Sequence, residues 1–141
     1  ARHGHPVLLT DDDRAASATS TWLAIASPTR IVCAGGPACR AYPGADTVLI
    51  GTDRYQTATL VADAFFVDGT PVGVASGVVF PDALVAAADT PHRGGPLVLT
   101  RPTSLPTATA NFVDRWDPDL ITVYGGTAAV SAAVAQQLAV R

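Results

Sequence analysis

Short apolar runs recur along the chain, each continuous rather than alternating, and segments of helical character separate them. Continuous runs of this kind are how strands buried on both faces of a parallel sheet read. Six are predicted as strands: Pro6 to Thr10, Arg30 to Ala34, Thr47 to Ile50, Val72 to Ser76, Pro96 to Thr100 and Leu120 to Tyr124. After Asp53, the residues Tyr55, Ala58, Thr59, Ala62 and Phe66 follow one helical face. Asp53 is placed to cap that helix, with Gln56 three residues on completing a capping-box-like pattern. Pro81 and Asp82 suit the first turn of another helix, where a missing N–H costs nothing and a carboxylate meets the positive end of the dipole. Ser104 with Pro106, and Ser131 before an Ala-rich stretch, mark two more starts. Strand–helix–strand alternation with right-handed connections predicts an α/β three-layer sandwich with a mostly parallel sheet.

The pattern also repeats, with an offset of 90 residues and no gap. Gly4 to Thr10 matches Gly94 to Thr100, and Ile31 to Gly36 matches Ile121 to Gly126. Between these blocks Ala18-Thr19 falls on Ala108-Thr109, Trp22 on Phe112 and Pro28 on Pro118. The reading is one complete unit over residues 47–141, preceded in residues 1–46 by the second half of another. The Gly-, Pro- and Ala-rich stretch Gly36 to Asp46 is expected to be the linker, and the two parts could pack as one domain.

Length and composition narrow the options. The chain has 141 residues, 48% of them hydrophobic, enough for a single core. No run approaches the roughly 18 apolar residues of a membrane span, so no membrane partner is expected. The formal charge of -3 supplies no field toward nucleic acid, and any anion must be met locally. All nine basic residues are Arg, which suits bidentate capture of carboxylate or phosphate. Cys33 and Cys39 are six positions apart across a Gly-Gly-Pro turn: a tight loop could bridge them, as expected outside the cytosol, or they could be two small buried hydrophobes.

Candidate chemistry is sparse. Ligands of open parallel sheets bind beyond the carboxyl ends of the strands, where Gly35-Gly36, Gly77 and Gly125-Gly126 fall; these read as anion-holding N–H groups or as tight turns. No dinucleotide or triphosphate fingerprint occurs, and no cofactor is expected. Ser76 lies one position off a nucleophile elbow, with His92 the only histidine after it, a weak basis for a hydrolase. Asp11-Asp12-Asp13 reads as a solvated helix N-terminus rather than a cation site, and His3 and His5 lack a third ligand, so no metal is expected.

Whole phrases are sharper. Gly51-Thr52-Asp53-Arg54-Tyr55-Gln56-Thr57-Ala58 is followed by Ala75-Ser76-Gly77-Val78-Val79-Phe80-Pro81-Asp82-Ala83-Leu84, then Gly95-Pro96-Leu97-Val98-Leu99-Thr100, Ser104-Leu105-Pro106 and Val123-Tyr124-Gly125-Gly126-Thr127-Ala128-Ala129-Val130-Ser131. In this order they closely resemble the type 2 cell-wall-binding repeat of Gram-positive surface proteins and autolysins. The resemblance implies a Rossmann-like or flavodoxin-like repeat module, secreted to the cell wall, non-catalytic, and anchoring an exported protein to an anionic, teichoic-acid-type glycopolymer. It further implies packing against other repeats of the type, in cis or by homo-oligomerisation. The family's Pro-Ile-Leu-Leu element maps onto Pro6, Val7, Leu8 and Leu9, and again onto Pro96, Leu97, Val98 and Leu99. These residues otherwise read as buried strand core that shapes a groove.

Direct contacts to anionic groups should fall to Arg. Arg54 is the first candidate, its alternative being an internal salt bridge to Asp53 or Asp82; Arg93 and Arg101, flanking the Pro96 run, are the others, with His92 beside them. Arg2, His3 and His5 hold the equivalent places before the first half-repeat. The rival to a polymer anchor is a self-associating surface-layer or protein-interaction subunit of the same fold.

Overall fold

Strands and helices alternate through residues 5–141, which are the residues described by a computed structural model of the chain. In chain order they are α1 (Ser17–Ala26), β1 (Val32–Ala34), α2 (Gly36–Ala41), β2 (Thr47–Leu49), α3 (Arg54–Phe65), β3 (Val72–Ser76), α4 (Phe80–His92), β4 (Leu97–Thr100), α5 (Thr107–Trp116), β5 (Ile121–Tyr124) and α6 (Ala132–Ala139). Every strand pairing is parallel, but there are two sheets among the described residues, not one: β1 with β2, and β4-β3-β5 with β3 in the centre.

The three-stranded sheet is covered on both faces. Val74 lies beside Val98 and Val123 in register, and this face packs against Ala62 of α3, Phe112, Val113 and Trp116 of α5, and Val134 and Leu138 of α6. The opposite face carries Gly73, Ala75 and Tyr124 and meets α4. A Cβ on Gly73 would come within 2.1 Å of Thr90 Cγ2, so the missing side chain is what lets this helix lie close to the strand. Trp116 anchors the α5 side: its ring sits 4.6 Å from Phe112, and its Nε1 donates to the Thr70 carbonyl at 3.1 Å.

Local signals set most of the boundaries. Asp53 Oδ1 accepts from the Gln56 N–H at 2.9 Å, while Gln56 Oε1 accepts from the Thr52 N–H at 2.6 Å, so the first turn of α3 is capped from both directions. Pro81 and Asp82 open α4, and Ser131 Oγ accepts from Val134 N–H at the start of α6. Three expectations need correction. Ser104 does not cap α5, which begins at Thr107 behind Pro106, too far on for its hydroxyl to reach. The Asp11–Asp13 run lies in a turn closed by reciprocal backbone bonds between Asp11 and Arg14, and the first turn of α1 holds no acid. The expected linker Gly36–Asp46 begins with a helix, α2, started by Pro37 and stapled by the Cys33–Cys39 disulfide.

The largest departure is Pro6 to Thr10, predicted as a buried strand. It forms no strand and is exposed, with Val7 81% and Leu9 78% accessible. Its counterpart Leu97–Thr100 is a strand because β3 lies alongside it; no described strand lies alongside residues 6–10. The half-unit nonetheless keeps the repeat's local geometry. Thr109 Oγ1 donates to the Leu99 carbonyl at 2.6 Å, and Thr19 Oγ1 to the Leu9 carbonyl at 2.7 Å, ninety residues earlier. α5 and α1 both end in a left-handed residue, Asp117 and Ser27, whose N–H bonds back to Val113 and Leu23. Gly125 and Gly35 both take the positive φ needed where the chain leaves its strand.

Candidate functional site

The carboxyl ends of β2, β3 and β4 lead into one neighbourhood. After β2 the chain turns through Gly51, Thr52 and Asp53 into α3, which brings Arg54 and Tyr55 to Gly77 at the end of β3. Arg54 donates from its guanidinium to the Gly77 carbonyl at 2.6 Å. Neither Asp53 nor Asp82 takes it in an ion pair, so of the alternatives weighed for Arg54 the internal salt bridge is not what forms. Arg101, just past β4, lies 4.7 Å above the ring of the buried Tyr55 and sets a guanidinium nitrogen 3.8 Å from Asp53 Oδ2.

Beside this cluster opens a cleft of about 390 Å³, lined by Thr52, Asp53, Gln56, Arg101, Thr107 and Asn111 among others. Its walls offer a guanidinium, two amides, two hydroxyls and one carboxylate, a set suited to a hydroxyl-rich ligand carrying negative charge. Sequence reasoning singled out Arg54 and Arg101 but passed over Thr52, Asn111 and Thr107 as ligand contacts. Gln56 lies in the first turn of α3 and Asn111 in the second turn of α5, ordinary helix-surface positions with no ligand signature of their own.

The other candidates lie elsewhere. Arg93 follows α4 and precedes β4, at the opposite end of the sheet, where its Nε bonds Asp89 Oδ2 at 2.7 Å. The Tyr124 hydroxyl donates to the same oxygen; this bond first, and Arg93 second, hold the Asp89 carboxyl below its ordinary pKa. Burial, and then the bond to Asp89, push the Tyr124 phenol up. Within Pro96 to Leu99, Pro96 and Val98 are buried, and Leu97 and Leu99 are half-buried on the α4 face, so only the latter two can be touched from outside. His5, Pro6, Val7, Leu8 and Leu9 are exposed and lie in no strand; Arg2 and His3 lie outside the described residues.

The family model for cell wall binding domain 2 matches residues 49–135, more than half of the chain. The chain belongs to that family. The matched residues include both sides of the cleft, and membership places the chain at the cell wall or cell surface. Among curated proteins it is 25% identical over 143 residues to the N-acetylmuramoyl-L-alanine amidase LytC of Bacillus subtilis (strain 168), covering 98% of this chain and 29% of that protein. It is 28% identical over 88 residues to the amidase enhancer of the same organism, covering 62% of this chain and 12% of that protein. Of solved structures, Cwp6 from Clostridium difficile superposes with a TM-score of 0.77 at 21% identity, over 95% of this chain and 23% of its own. Cwp8 from the same organism gives 0.74 at 20% identity, over 94% and 24%. These two share the α/β fold. The chain spans less than a third of each of these proteins.

Within the cell wall binding domain the weak hydrolase constellation is not assembled. Ser76 is buried at the carboxyl end of β3, where its Oγ accepts from the N–H groups of Val78 and Val79 at 3.2 Å each. His92 sits in the last turn of α4, toward the other end of the sheet. No group of three or more metal-ligating side chains occurs among the described residues.

Proposed function

We propose that this cell wall binding module anchors an exported protein by holding an anionic glycopolymer in the cleft at the carboxyl ends of β2 to β4, without catalysing a reaction. The observation that carries the reading is Arg101, stacked on Tyr55 at the mouth of a polar cleft and opposed by a single half-exposed carboxylate, Asp53. Stacking fixes the guanidinium plane before the ligand arrives, which lowers the entropy lost on capture. Gln56, Asn111 and Thr107 would take sugar hydroxyls, and Arg54, steadied by Gly77, adds positive charge at the rim. Leu97 and Leu99 lie on the α4 face and do not line the cleft, and Arg93 is bonded to Asp89 at the other end of the sheet.

The reading is tested by cosedimentation with Gram-positive walls, before and after acid extraction of teichoic-type polymer, across a salt series. Binding should vanish with the polymer and weaken with salt. A charge-assisted bond to the polymer contributes about 1.5–3 kcal/mol, so Arg101→Ala should weaken binding at least about tenfold. A folded Arg101→Ala protein that binds like the parent rules out the site.

A second reading, association with another repeat or another copy, is favoured by the outer face of α4, where Phe80, Leu84 and Val85 are exposed on one stripe. Sedimentation of the parent against Leu84→Glu distinguishes it: a concentration-dependent oligomer lost in the variant supports the association, and a monomer in both refutes it for copies of this chain.

A further inference from the structure

Gly77, the residue after β3, is a glycine for neither of the two reasons open to it in the sequence. Its N–H donates to the Thr100 carbonyl at 2.8 Å, continuing the ladder to β4, so that group is not available to hold an anion. It takes no positive φ, in contrast to Gly35 and Gly125, so the turn does not require glycine either. Its carbonyl is engaged as well, by the Arg54 guanidinium. The position is distinguished instead by the space a side chain would need. A Cβ there would come within 2.8 Å of Tyr55 Cε1 and 3.3 Å of Arg54 Cδ, the first too close for two carbon atoms.

We infer that Gly77 is a positioning residue for the polymer cleft: its bare Cα seats the Tyr55 ring, and the seated ring carries Arg101. The inference rests on the reading of Arg101 as the contact to the polymer's anion. Three observations connect these residues. Ser76 lies opposite Thr100 in the β3–β4 register, so Gly77 and Arg101 are the next residues along neighbouring chains about 4.8 Å apart. Tyr55 is 6% exposed, and its ring can clear an added methyl only by moving as one rigid plate. The Arg101 guanidinium, 4.7 Å from the ring centroid, has that ring as its main restraint, because Asp53 Oδ2 lies 3.8 Å from it, beyond hydrogen-bonding distance.

Two similarly exposed arginines show the difference. Arg93 and Arg115 each close on a carboxylate at 2.7 Å and would stay in place if a neighbouring ring moved. Arg101 has no such anchor among the described residues, so displacing Tyr55 displaces or frees it. Arg54 is affected less: its close approach is through a methylene of a flexible chain whose guanidinium is held by the Gly77 carbonyl, not by the missing side chain.

The test is Gly77→Ala, alone and in the Arg101→Ala background, in cosedimentation with Gram-positive walls at low salt. A stacked guanidinium at an exposed site corresponds to about two- to fivefold in affinity, so Gly77→Ala should weaken binding by that factor and add nothing once Arg101 is absent. In an NMR spectrum of the parent, the Tyr55 ring current should displace the Arg101 Nε–H resonance, and Gly77→Ala should move that resonance toward its position in Tyr55→Leu. A folded Gly77→Ala protein that binds like the parent, or whose Arg101 resonance is unmoved, overturns the inference. Equal weakening with and without Arg101 also overturns it, since the methyl would then act by loosening the strand end. If Gly77→Ala does not fold, Tyr55→Leu is compared with Tyr55→Leu carrying Gly77→Ala: with the ring gone, the methyl should reduce neither binding nor stability in urea, and a further loss of either overturns the inference. Arg101→Ala binding like the parent is the separate outcome that rules out the polymer site itself, and with it any role for Gly77 there.

Discussion

Asp53 holds two roles that one substitution separates. Its Oδ1 caps α3 through Gln56 N–H, and its Oδ2 faces Arg101 at 3.8 Å, with the two side chains 42% and 49% exposed. Asp53→Asn keeps an oxygen for the cap, and Asn and Asp cap almost equally well, so the helix loses only the carboxylate's attraction to its dipole, about 0.3–1 kcal/mol. The same change removes the one anion competing with the polymer for Arg101. Exposed pairs of this geometry contribute about 0.2–1 kcal/mol, so removing the competitor should tighten polymer binding by about 1.4- to 5-fold. That gain should appear at low ionic strength and disappear near 1 M salt, where screening acts within about 3 Å. Asp53→Ala should bind similarly but lose about 1 kcal/mol more stability with the cap. Urea unfolding and wall cosedimentation measure the two effects separately. If Asp53→Asn unfolds cooperatively yet binds no better than the parent at low salt, Arg101 is not where the polymer's charge is met.

The two halves should answer the same truncation differently. Phe112→Ala should cost about 3–5 kcal/mol in urea unfolding and Trp22→Ala under about 1, because only the first residue lies in a filled core; equal costs would contradict the account of the half-unit. Removing the disulfide with Cys33→Ala and Cys39→Ala together should destabilise the β1–β2 region by about 2 kcal/mol, the loop-closure figure for so short a loop; exchange at residues 32–34 and 47–49 reports it, and no acceleration there would count against the staple. Asp89, whose folded pKa is lowered chiefly by Tyr124, contributes stability that is fully present above its unfolded pKa near 3.9 and is lost as pH falls through the lowered folded value. Tyr124→Phe should move the Asp89 carboxyl pKa upward in an NMR titration and flatten that acid dependence, and an unmoved pKa would place its cause elsewhere.

How far the sequence revealed the fold depended on whether a signal was local. The capping of α3 by Asp53 and of α6 by Ser131, the Pro81 start of α4 and the whole of β3 follow from side chains near their own backbone, and they stand where expected. Pro6 to Thr10 has the same apolar pattern as β4 but forms no strand, since strand state depends on a partner that local pattern does not report. The split into two sheets was hidden for the same reason. At the candidate site, charge type alone pointed to Arg54, Arg93 and Arg101 together. Topology then separated Arg93, because a residue after α4 and before β4 must lie at the amino end of the strand. The amides and hydroxyls of the cleft carried no sequence signature, since each is an ordinary helix-surface residue until α3 and α5 are packed side by side.

The half-unit is connected to the cleft by covalent and hydrogen-bonded steps. The disulfide ties α2 to β1, β1 aligns β2 from Thr47 to Leu49, and the Gly35 N–H bonds the Leu49 carbonyl at the end of that ladder. Two residues later Gly51 N–H donates to Thr57 Oγ1, and Thr52 and Asp53 complete the cap that orients Tyr55 under Arg101. The β2 strand is too short to hold this turn by itself and pairs only with β1 among the described strands. The position of Asp53 relative to Arg101 thus depends on a two-stranded sheet whose other strand is β1, outside the matched residues 49–135.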